Sequence, residues 1–289
     1  MATTANETFT GFRVAPLSPR IGAEIEGVDL RERLADETIV EIRRALLTYK
    51  VIFFRDQDIT QEQHIAFARR FGDLEVHPMT PKDQANPEIF HLRNRPDLPM
   101  MQGKRTGADV WHSDVSWREK PSMGSILCGR TIPETGGDTL WADMAAAYDG
   151  LSPALKEWLP TLTAVHDGGG FATLQGKPVE EFHKIYPPQE HPVVRTHPET
   201  GERSLYVSSS FTTHIVGLSK KESDWLLDHL YAQASRPEYQ CRFRWRKNSI
   251  AFWDNRSTQH YAVADYYPAL REMERVTIIG DKPFFDPSR

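Results

Sequence analysis

The sequence predicts a mainly β fold, an antiparallel sandwich with helices packed against its outside. Short apolar runs bounded by turn residues predict most of the strands. Turns join these runs more often than regularly spaced helices do, which favours antiparallel pairing. Capping residues at four places predict the flanking helices. Because no repeat, low-complexity tract or long Pro/Gly linker divides the chain, residues 1–289 are expected to form a single domain.

The four predicted helices begin at recognisable capping residues. Asp36 is expected to cap the first, which runs to about Tyr49. Its buried face carries Ile39, Ile42 and Leu46. The second helix begins with the capping box of Thr60 and Gln63 and ends near Gly72. The third begins at Ser152-Pro153. The fourth begins with Ser219 and Glu222 and continues through Trp225, Leu226 and Leu230.

The predicted strands show two kinds of pattern. Val51–Phe54 is a continuous apolar run, as expected for a strand buried on both faces. Cys241–Trp245 alternates apolar residues with Arg242 and Arg244, as expected for a strand with one solvated face. Further strands are predicted at residues 249–253 and 276–279, and as a hairpin of residues 192–196 and 204–207 around the polar turn 197–201.

Composition and charge exclude several classes of protein. The apolar runs are far shorter than the ~18 residues of a membrane span, and residues 1–11 lack the pattern of a signal peptide. A net charge of −5 argues against nucleic acid as a partner. The basic and aromatic run Arg242–Lys247 is therefore interpreted as a strand with its aromatic residues packed inward and its arginines solvated. Only two cysteines occur, Cys128 and Cys241, which indicates a reducing cytoplasm.

The first candidate for chemistry is the segment Trp111–Asp114. In a strand, His112 and Asp114 would project from the same face and could converge on one point. Alone the pattern is weak, because eleven histidines make such triplets common by chance, and a lone one is more often a surface pair or a structural histidine. The triplet His197-Pro198-Glu199 is comparable, but its polar turn predicts exposed side chains that do not converge.

A second segment, Trp253–His260, is followed by Arg271 and Arg275 and makes a metal site more plausible. Two histidines and one carboxylate bind one face of iron(II) and leave three positions open, as in non-haem iron oxygenases. A 2-oxoglutarate that chelates this metal through its keto acid leaves its distal carboxylate unpaired in a dry pocket. Such a carboxylate needs a cationic partner, and arginine offers two parallel donors.

These motifs resemble the taurine/2,4-dichlorophenoxyacetate dioxygenase family of iron(II)- and 2-oxoglutarate-dependent oxygenases. The similarity extends over nearly the whole length, from Arg20–Ala23 to Gly280–Pro283. The resemblance implies a double-stranded β-helix (a jelly roll, cupin-like), with iron(II) as the metal and 2-oxoglutarate and O₂ as cosubstrates. Four segments together make it specific: Trp111–Asp114, Gly136–Trp141, His191–Pro198 and Trp253–His260.

The resemblance also implies roles for individual residues. It assigns His112, Asp114 and His260 to the metal and thereby to catalysis. Arg271 would bind the distal carboxylate of 2-oxoglutarate, with the Thr139 hydroxyl as a second donor.

The substrate side of the site matches the family in part. His77, Phe211 and Arg275 match positions that face the second substrate in taurine oxygenases. Thr80 stands where those enzymes carry tyrosine, and Ala108 stands where they carry asparagine. Both missing side chains belong to the region near the amine of taurine. The resemblance therefore implies a small anionic organic substrate, a sulfonate, sulfate ester or carboxylate, without a nearby ammonium group.

Three further expectations follow from the same resemblance. Residues 93–110 form a longer segment than in taurine enzymes, and Gly168–Gly170 gives a flexible stretch near the substrate. The protein is expected to be a homo-oligomer, a dimer or a tetramer.

Three functions are open on this basis. The leading one is an oxygenase that couples decarboxylation of 2-oxoglutarate to hydroxylation of the anion, with cleavage where the hydroxylated product is unstable. A non-catalytic jelly-roll binding protein is the second, although a binding protein does not need the open metal face. A zinc hydrolase with the same His/Asp/His site and a metal-activated water is the third. That reading leaves Arg271 and Thr139 unexplained.

Overall fold

The secondary structure is that of a computed structural model, which describes residues 8–78, 80–81, 83–94 and 108–289. The strands are β1 (Arg13–Pro16), β2 (Ala23–Glu26), β3 (Val51–Phe54), β4 (Phe90–Arg93), β5 (Ser122–Thr131), β6 (Thr139–Asp143), β7 (Thr163–His166), β8 (Gln189–Pro192), β9 (Val194–Thr196), β10 (Arg203–Leu205), β11 (Thr212–Ile215), β12 (Gln240–Phe243), β13 (Ile250–Asp254), β14 (Thr258–Ala262) and β15 (Glu272–Ile279). The helices are α1 (Asp36–Tyr49), α2 (Gln61–Ala68), α3 (Met144–Asp149), α4 (Pro153–Trp158), α5 (Gly169–Leu174), α6 (Val179–Ile185) and α7 (Lys220–Ala234).

A large, mostly antiparallel sheet forms the centre of the fold. Its strand order is β1-β2-β3-β13-β5-β15-β4, and only β2 and β3 pair in parallel. A second sheet, β12-β6-β14, packs against one face of the large sheet and carries Thr139 and His260. Two smaller sheets, β11-β7-β8 and β10-β9, complete the β structure of the described segments.

Strand β3 shows how these layers are held together. Phe53 points to the second sheet, where its ring stacks on Phe243 with centroids 4.0 Å apart. Ile52 and Phe54 point the opposite way and join the apolar cluster that contains Leu46 of α1. All four residues of β3 are buried because a sheet covers one face and helices cover the other, which explains the continuous apolar run. The predicted fold class is therefore confirmed: a mainly β jelly roll with flanking helices.

The predicted helices are all present, although two details differ. Ala35 is the N-cap residue of α1, while Asp36 lies in the first turn and its carboxylate accepts from Arg70, just after α2, instead of capping the helix. Helix α2 ends at Ala68, and residues 69–72 form tighter turns with i to i+3 hydrogen bonds, so the predicted end near Gly72 was too late. The other capping predictions are confirmed: Thr60 with Gln63, Ser152, and Ser219 with Glu222.

The predicted hairpin is formed by β9 and β10, which pair antiparallel. The strand predicted over Cys241–Trp245 is β12, shifted to Gln240–Phe243. Its inward and outward faces are as predicted, because Phe243 and Trp245 are buried while Arg242 and Arg244 are exposed. In the segments that the structure describes, no helix combines the length and apolar character that crossing a membrane would require.

Candidate active site

The backbone brings His112 and His260 together. His260 lies on β14, and its N–H donates to the carbonyl of His112 at 2.8 Å, while the N–H of His112 donates back at 3.1 Å. The strand geometry considered for segment 111–114 does not apply, because the pairing of this segment is limited to this single bridge. Asp114 already belongs to a turn that continues through Val115 at a φ of 47°. This turn, not strand alternation, directs Asp114 to the two histidines.

The three side chains form a buried cluster with the geometry of a metal site. One ligand atom from each of His112, Asp114 and His260 lies within 4.8 Å of the other two. Nδ1 of His112 lies 2.7 Å from the carbonyl of Val110, which assigns the ring proton to Nδ1 and leaves the lone pair of Nε2 for a metal. Nε2 of His260 lies 3.9 Å from Oδ1 of Asp114.

The electrostatics of the cluster suit a cation. Burial lowers the pKa of both His112 and His260 below the ordinary histidine value, which keeps the imidazoles neutral. Burial by itself would raise the pKa of Asp114, but the charge of Arg275 and the hydrogen bond from Ser125 oppose it, and the pKa of this carboxyl falls below its usual range. Two neutral nitrogen donors and one carboxylate match the donor set of an iron(II) facial site.

Two further residues hold Asp114 in place, and neither was predicted to do so. The Ser125 hydroxyl donates to Oδ2 of Asp114 at 2.7 Å. The backbone N–H of Asp114 donates to the side-chain oxygen of Asn255 at 3.1 Å. Asn255 lies inside the recognised motif Trp253–His260, whereas Ser125 lies in the buried strand β5 and belongs to no sequence pattern.

Arg275, which was expected to face the substrate, also contacts the His112/Asp114/His260 cluster directly. It projects from β15, and its Nη1 donates to Oδ1 of Asp114 at 2.5 Å. Its Nε has no hydrogen-bond partner among the described residues. The guanidinium also lies 5.4 Å from the ring centroid of Phe90.

Arg271 and Thr139, the two residues expected to bind the cosubstrate, are both buried. Nε of Arg271 donates to the carbonyl of Gly137 at 3.1 Å, and its buried Nη2 has no hydrogen-bond partner in the described part of the chain. Burial lowers the pKa of Arg271, so this guanidinium is poorly solvated and favours an anionic partner. The indole N–H of Trp245 donates to the Thr139 hydroxyl at 2.9 Å, which leaves the hydroxyl proton of Thr139 to donate elsewhere.

A cavity of about 130 Å³ opens beside His112 and Asp114. The predicted substrate residues His77, Phe211 and Arg275 all line it. The ring of His77 stacks on Phe90 at 4.0 Å, and burial followed by the charge of Arg275 lowers the pKa of His77 to about 3. Ala108 also lines the cavity, while Thr80 donates its backbone N–H to the carbonyl of His77 at 2.9 Å.

Helix α5 forms part of the same wall and corrects the expectation of a flexible stretch at Gly168–Gly170. The glycines begin an ordered helix, and Phe171 of α5 lines the cavity. A Cβ on Gly168 would lie 2.8 Å from Phe182 and 2.9 Å from Trp117, so glycine is needed there for close packing. Of the other segment, 93–110, residues 95–107 lie outside the described residues.

The side chains of the triplet His197-Pro198-Glu199 were predicted to be exposed, which is correct for Glu199 but wrong for His197. His197 is 2% exposed, and its Nε2 lies 3.0 Å from Oδ2 of Asp254. Glu199 accepts from both Arg43 and Arg256. The hairpin folds back onto the end of β13 and the turn after it, so His197 and Glu199 belong to a partly buried ion network that the turn composition did not predict.

Comparison with known proteins places the chain in one family. The model described as "Taurine catabolism dioxygenase TauD, TfdA family" matches residues 13–277. An "Alkylsulfatase" of Acinetobacter baylyi is 39% identical over 278 residues, which cover 92% of this chain and 84% of that protein. An "Alpha-ketoglutarate-dependent sulfate ester dioxygenase" of Pseudomonas putida is 39% identical over 282 residues, which cover 93% and 90%.

Solved structures agree with these relatives. A taurine dioxygenase from Burkholderia xenovorans superposes with a TM-score of 0.83 at 41% identity, covering 96% of this chain and 93% of that one. AAD-2 in complex with Mn(II) and N-oxalylglycine superposes with a TM-score of 0.86 at 32% identity, covering 96% and 100%. The jelly roll, the buried His/Asp/His cluster and these similarities lead to one conclusion: the chain belongs to the TauD/TfdA family and is an iron(II)- and 2-oxoglutarate-dependent dioxygenase.

Proposed function

We propose that this dioxygenase hydroxylates a small organic anion bearing a sulfate, sulfonate or carboxylate group, and that alkyl sulfate esters are its preferred class. The observation that supports this best is the cavity beside the metal cluster. Arg275 is a cation within it, and most of the other lining residues are aromatic or aliphatic. Two relatives that are 39% identical to this chain are named as an alkylsulfatase and a sulfate ester dioxygenase.

We assign the metal to His112, Asp114 and His260. The support is their convergence, their burial and the neutral state of both imidazoles. Iron(II) bound there supplies the activation of O₂ that oxidises both 2-oxoglutarate and the substrate. The role of these three side chains is to hold the ion on one face and leave the remaining positions open.

We assign 2-oxoglutarate to Arg271 and Thr139. Arg271 offers a buried N–H that no described residue accepts, and its stem is held against Gly137. The Thr139 hydroxyl oxygen accepts from the indole N–H of Trp245, so its proton is left to donate to a ligand. Together they can bind the distal carboxylate, while the keto acid end reaches the metal.

We assign the charged group of the substrate to Arg275, with His77 beside it as a neutral partner. The apolar body then packs against Phe90 and Phe211. Hydroxylation of the carbon bonded to the ester oxygen gives a hemiacetal sulfate, R–CH(OH)–OSO₃⁻. This adduct separates into an aldehyde and hydrogen sulfate, while O₂ and 2-oxoglutarate become the new hydroxyl oxygen, succinate and CO₂.

The lining of the cavity disfavours an ammonium group. Among the described residues that line it, Asp114 is the carboxylate, and that group is committed to the metal and Arg275. An unpaired ammonium would cost roughly 1–3 kcal/mol or more. An alkyl chain would gain about 25 cal/mol for each Å² that it removes from water.

The test compares an unbranched alkyl sulfate with its ω-amino analogue of equal length, and includes taurine. Succinate, sulfate and aldehyde are measured together. We expect kcat/KM for the alkyl sulfate to exceed both others by about tenfold, which corresponds to roughly 1.4 kcal/mol. A taurine kcat/KM above that of every alkyl sulfate would contradict the proposal.

The same assay separates the alternative functions. A zinc hydrolase would release sulfate without O₂ or 2-oxoglutarate and would give an alcohol in place of an aldehyde. A binding protein would produce neither succinate nor sulfate. Neither alternative accounts for the buried, unpartnered donor of Arg271.

We further propose a cytoplasmic homo-oligomer, a dimer or a tetramer. Cys128 and Cys241 are buried, free thiols, in agreement with a reducing compartment. The oligomer is inferred from the family resemblance. Light scattering on the purified protein tests it, and a monomer at micromolar concentration would refute it.

A further inference from the structure

The two oxygens of the Asp114 carboxylate lie in different surroundings. Oδ1 faces the other ligands, 3.9 Å from Nε2 of His260, and accepts from Arg275. Oδ2 points away from them and accepts from the Ser125 hydroxyl at 2.7 Å. Ser125 in turn accepts from Nδ2 of Asn255 at 3.1 Å. All of these groups are buried.

The side-chain amide of Asn255 has a fixed orientation because its oxygen has two hydrogen-bond donors. Its Oδ1 accepts from the backbone N–H of Asp114 at 3.1 Å and from the indole N–H of Trp253 at 3.0 Å. Its backbone carbonyl accepts from the Ser113 hydroxyl at 2.7 Å. Since two donors occupy Oδ1, the side-chain NH₂ must be the end that faces Ser125.

The hydrogen bonds that join Asn255, Ser125 and Asp114 can therefore run in one direction only. The amide of Asn255 donates to the Ser125 oxygen, so the one hydroxyl proton of Ser125 is left to donate to Oδ2 of Asp114. The carboxylate therefore cannot rotate without leaving a buried hydroxyl unpaired. Only Oδ1 is left facing His112 and His260.

We propose that Ser125 and Asn255 are positioning residues that hold Asp114 as a one-oxygen metal ligand. A facial site must keep three positions open, two for the chelating cosubstrate and one for O₂. If Oδ2 were released, the carboxylate could take a second position at the metal and displace one of these. The inference rests on the proposed metal site, and it adds a role for two residues that do not touch the ion.

The test compares Ser125→Ala with Ser122→Ala. Both serines are buried and belong to β5, but the Ser122 hydroxyl has no hydrogen-bond partner among the described residues and is not bonded to Asp114. The readouts are thermal unfolding, calorimetric Mn(II) affinity and the visible absorption band of the anaerobic iron(II)–2-oxoglutarate complex. Product formed per succinate reports how well oxidation stays coupled to the substrate.

We expect Ser125→Ala to weaken Mn(II) binding roughly 10- to 100-fold, to shift the absorption band and to lower product per succinate. Ser122→Ala should leave all three at the wild-type values. Ser125→Thr, which keeps the hydroxyl, should lie closer to wild type than Ser125→Ala. Should Ser125→Ala fail to fold, Ser125→Cys fills the same space with a weaker donor and gives the same comparison.

Equal Mn(II) affinity and equal bands in Ser125→Ala and Ser122→Ala would overturn the inference while leaving the proposed metal site intact. A wild-type protein that neither binds Mn(II) nor shows the band would instead refute the proposed function. The two failures are therefore distinguishable.

Discussion

Arg275 and Asp114 form a buried ion pair in which Nη1 of the arginine donates to Oδ1 of the carboxylate at 2.5 Å. The cation assigned to the substrate thus binds the oxygen assigned to the metal. A metal ion draws electron density from Oδ1 and weakens its hold on Arg275, which makes the guanidinium more available to an anion. Binding of the metal and of the anionic substrate should therefore be linked, and each should strengthen the other.

Replacement of Arg275 tests this linkage. Arg275→Gln should weaken binding of the anionic substrate by about thirtyfold to several thousandfold, the usual cost of removing one partner of a buried charge pair. Mn(II) affinity should be retained or rise, because a competing cation leaves Asp114. The measurements are calorimetric titrations of Mn(II), and of an alkyl sulfate with and without Mn(II).

The control for that variant is Arg130→Gln. Arg130 pairs with Glu274 at 2.6 Å between neighbouring strands of the same sheet, and neither residue lines the cavity. This variant should change neither titration. A loss of Mn(II) affinity in Arg275→Gln as large as its loss of substrate affinity would contradict the proposed roles.

Replacement of Arg271 should change the affinity for 2-oxoglutarate without changing the affinity for the metal. Arg271→Ala should raise the KM for 2-oxoglutarate at least about thirtyfold, while Mn(II) affinity stays at the wild-type value because Arg271 does not contact the metal cluster. Arg271→Lys should recover only part of the loss, since a point charge cannot copy a planar fork. Steady-state assays across 2-oxoglutarate concentrations provide the check. Unchanged KM values in both variants would remove Arg271 from the cosubstrate site.

Gly137 provides an indirect test of the same site. A Cβ at Gly137 would lie 3.0 Å from Cδ and 3.1 Å from Nε of Arg271, so Gly137→Ala should displace this arginine and raise the KM for 2-oxoglutarate. Gly217→Ala is the matched control: its φ is also positive, at 82°, but no atom of the described residues lies within 4 Å of the added carbon. Both variants carry similar backbone strain. Equal KM values in the two would contradict the placement of Arg271.

Buried histidines predict how stability depends on pH. Burial lowers the pKa of His64 to about 4 and that of His166 to about 3. Below the unfolded-state pKa of about 6.5 the unfolded chain binds more protons. The stabilisation is therefore complete above that pH and is lost as pH falls towards the folded-state values. Each histidine contributes roughly 1.4 kcal/mol per pH unit in this window.

Urea unfolding of the metal-free protein at pH 7.5 and 5.5 measures this dependence. His64→Gln should reduce the loss of unfolding free energy between the two pH values by about 1.4 kcal/mol. His229→Gln is the control, because the side chain of His229 is exposed and folding does not desolvate it. A wild-type protein that is equally stable at both pH values would contradict the neutral state of these histidines.

The sequence predicted which residues form the candidate metal site better than it predicted the backbone structure and the supporting residues that hold them in place. We could propose His112, Asp114 and His260 as metal ligands because they lie in motifs that resemble those of the family. The structure brings the three side chains together. The sequence could not show that 111–114 joins β14 through one isolated bridge and then turns at Asp114, because that pairing is tertiary. Ser125 could not have been found, since one serine in a buried strand has no pattern of its own.

The second error of the sequence analysis was to predict that the side chain of His197 is exposed. The turn at His197 has the composition of an exposed loop, yet His197 is buried against Asp254, and Glu199 pairs with Arg256. Local sequence does not reveal a partner that lies some 57 residues away in the chain. The single-domain organisation of residues 1–289 and the oligomeric state stay predictions.

The central claim is that His112, Asp114 and His260 hold an iron(II) ion that binds 2-oxoglutarate. Its most direct test is an anaerobic titration of the iron(II)-loaded protein with 2-oxoglutarate, followed by visible absorption. We expect a weak charge-transfer band in the wild-type protein that saturates at one equivalent, and no band in Asp114→Ala at the same iron concentration. A wild-type protein without the band, or an Asp114→Ala variant with the wild-type band and midpoint, would contradict the account.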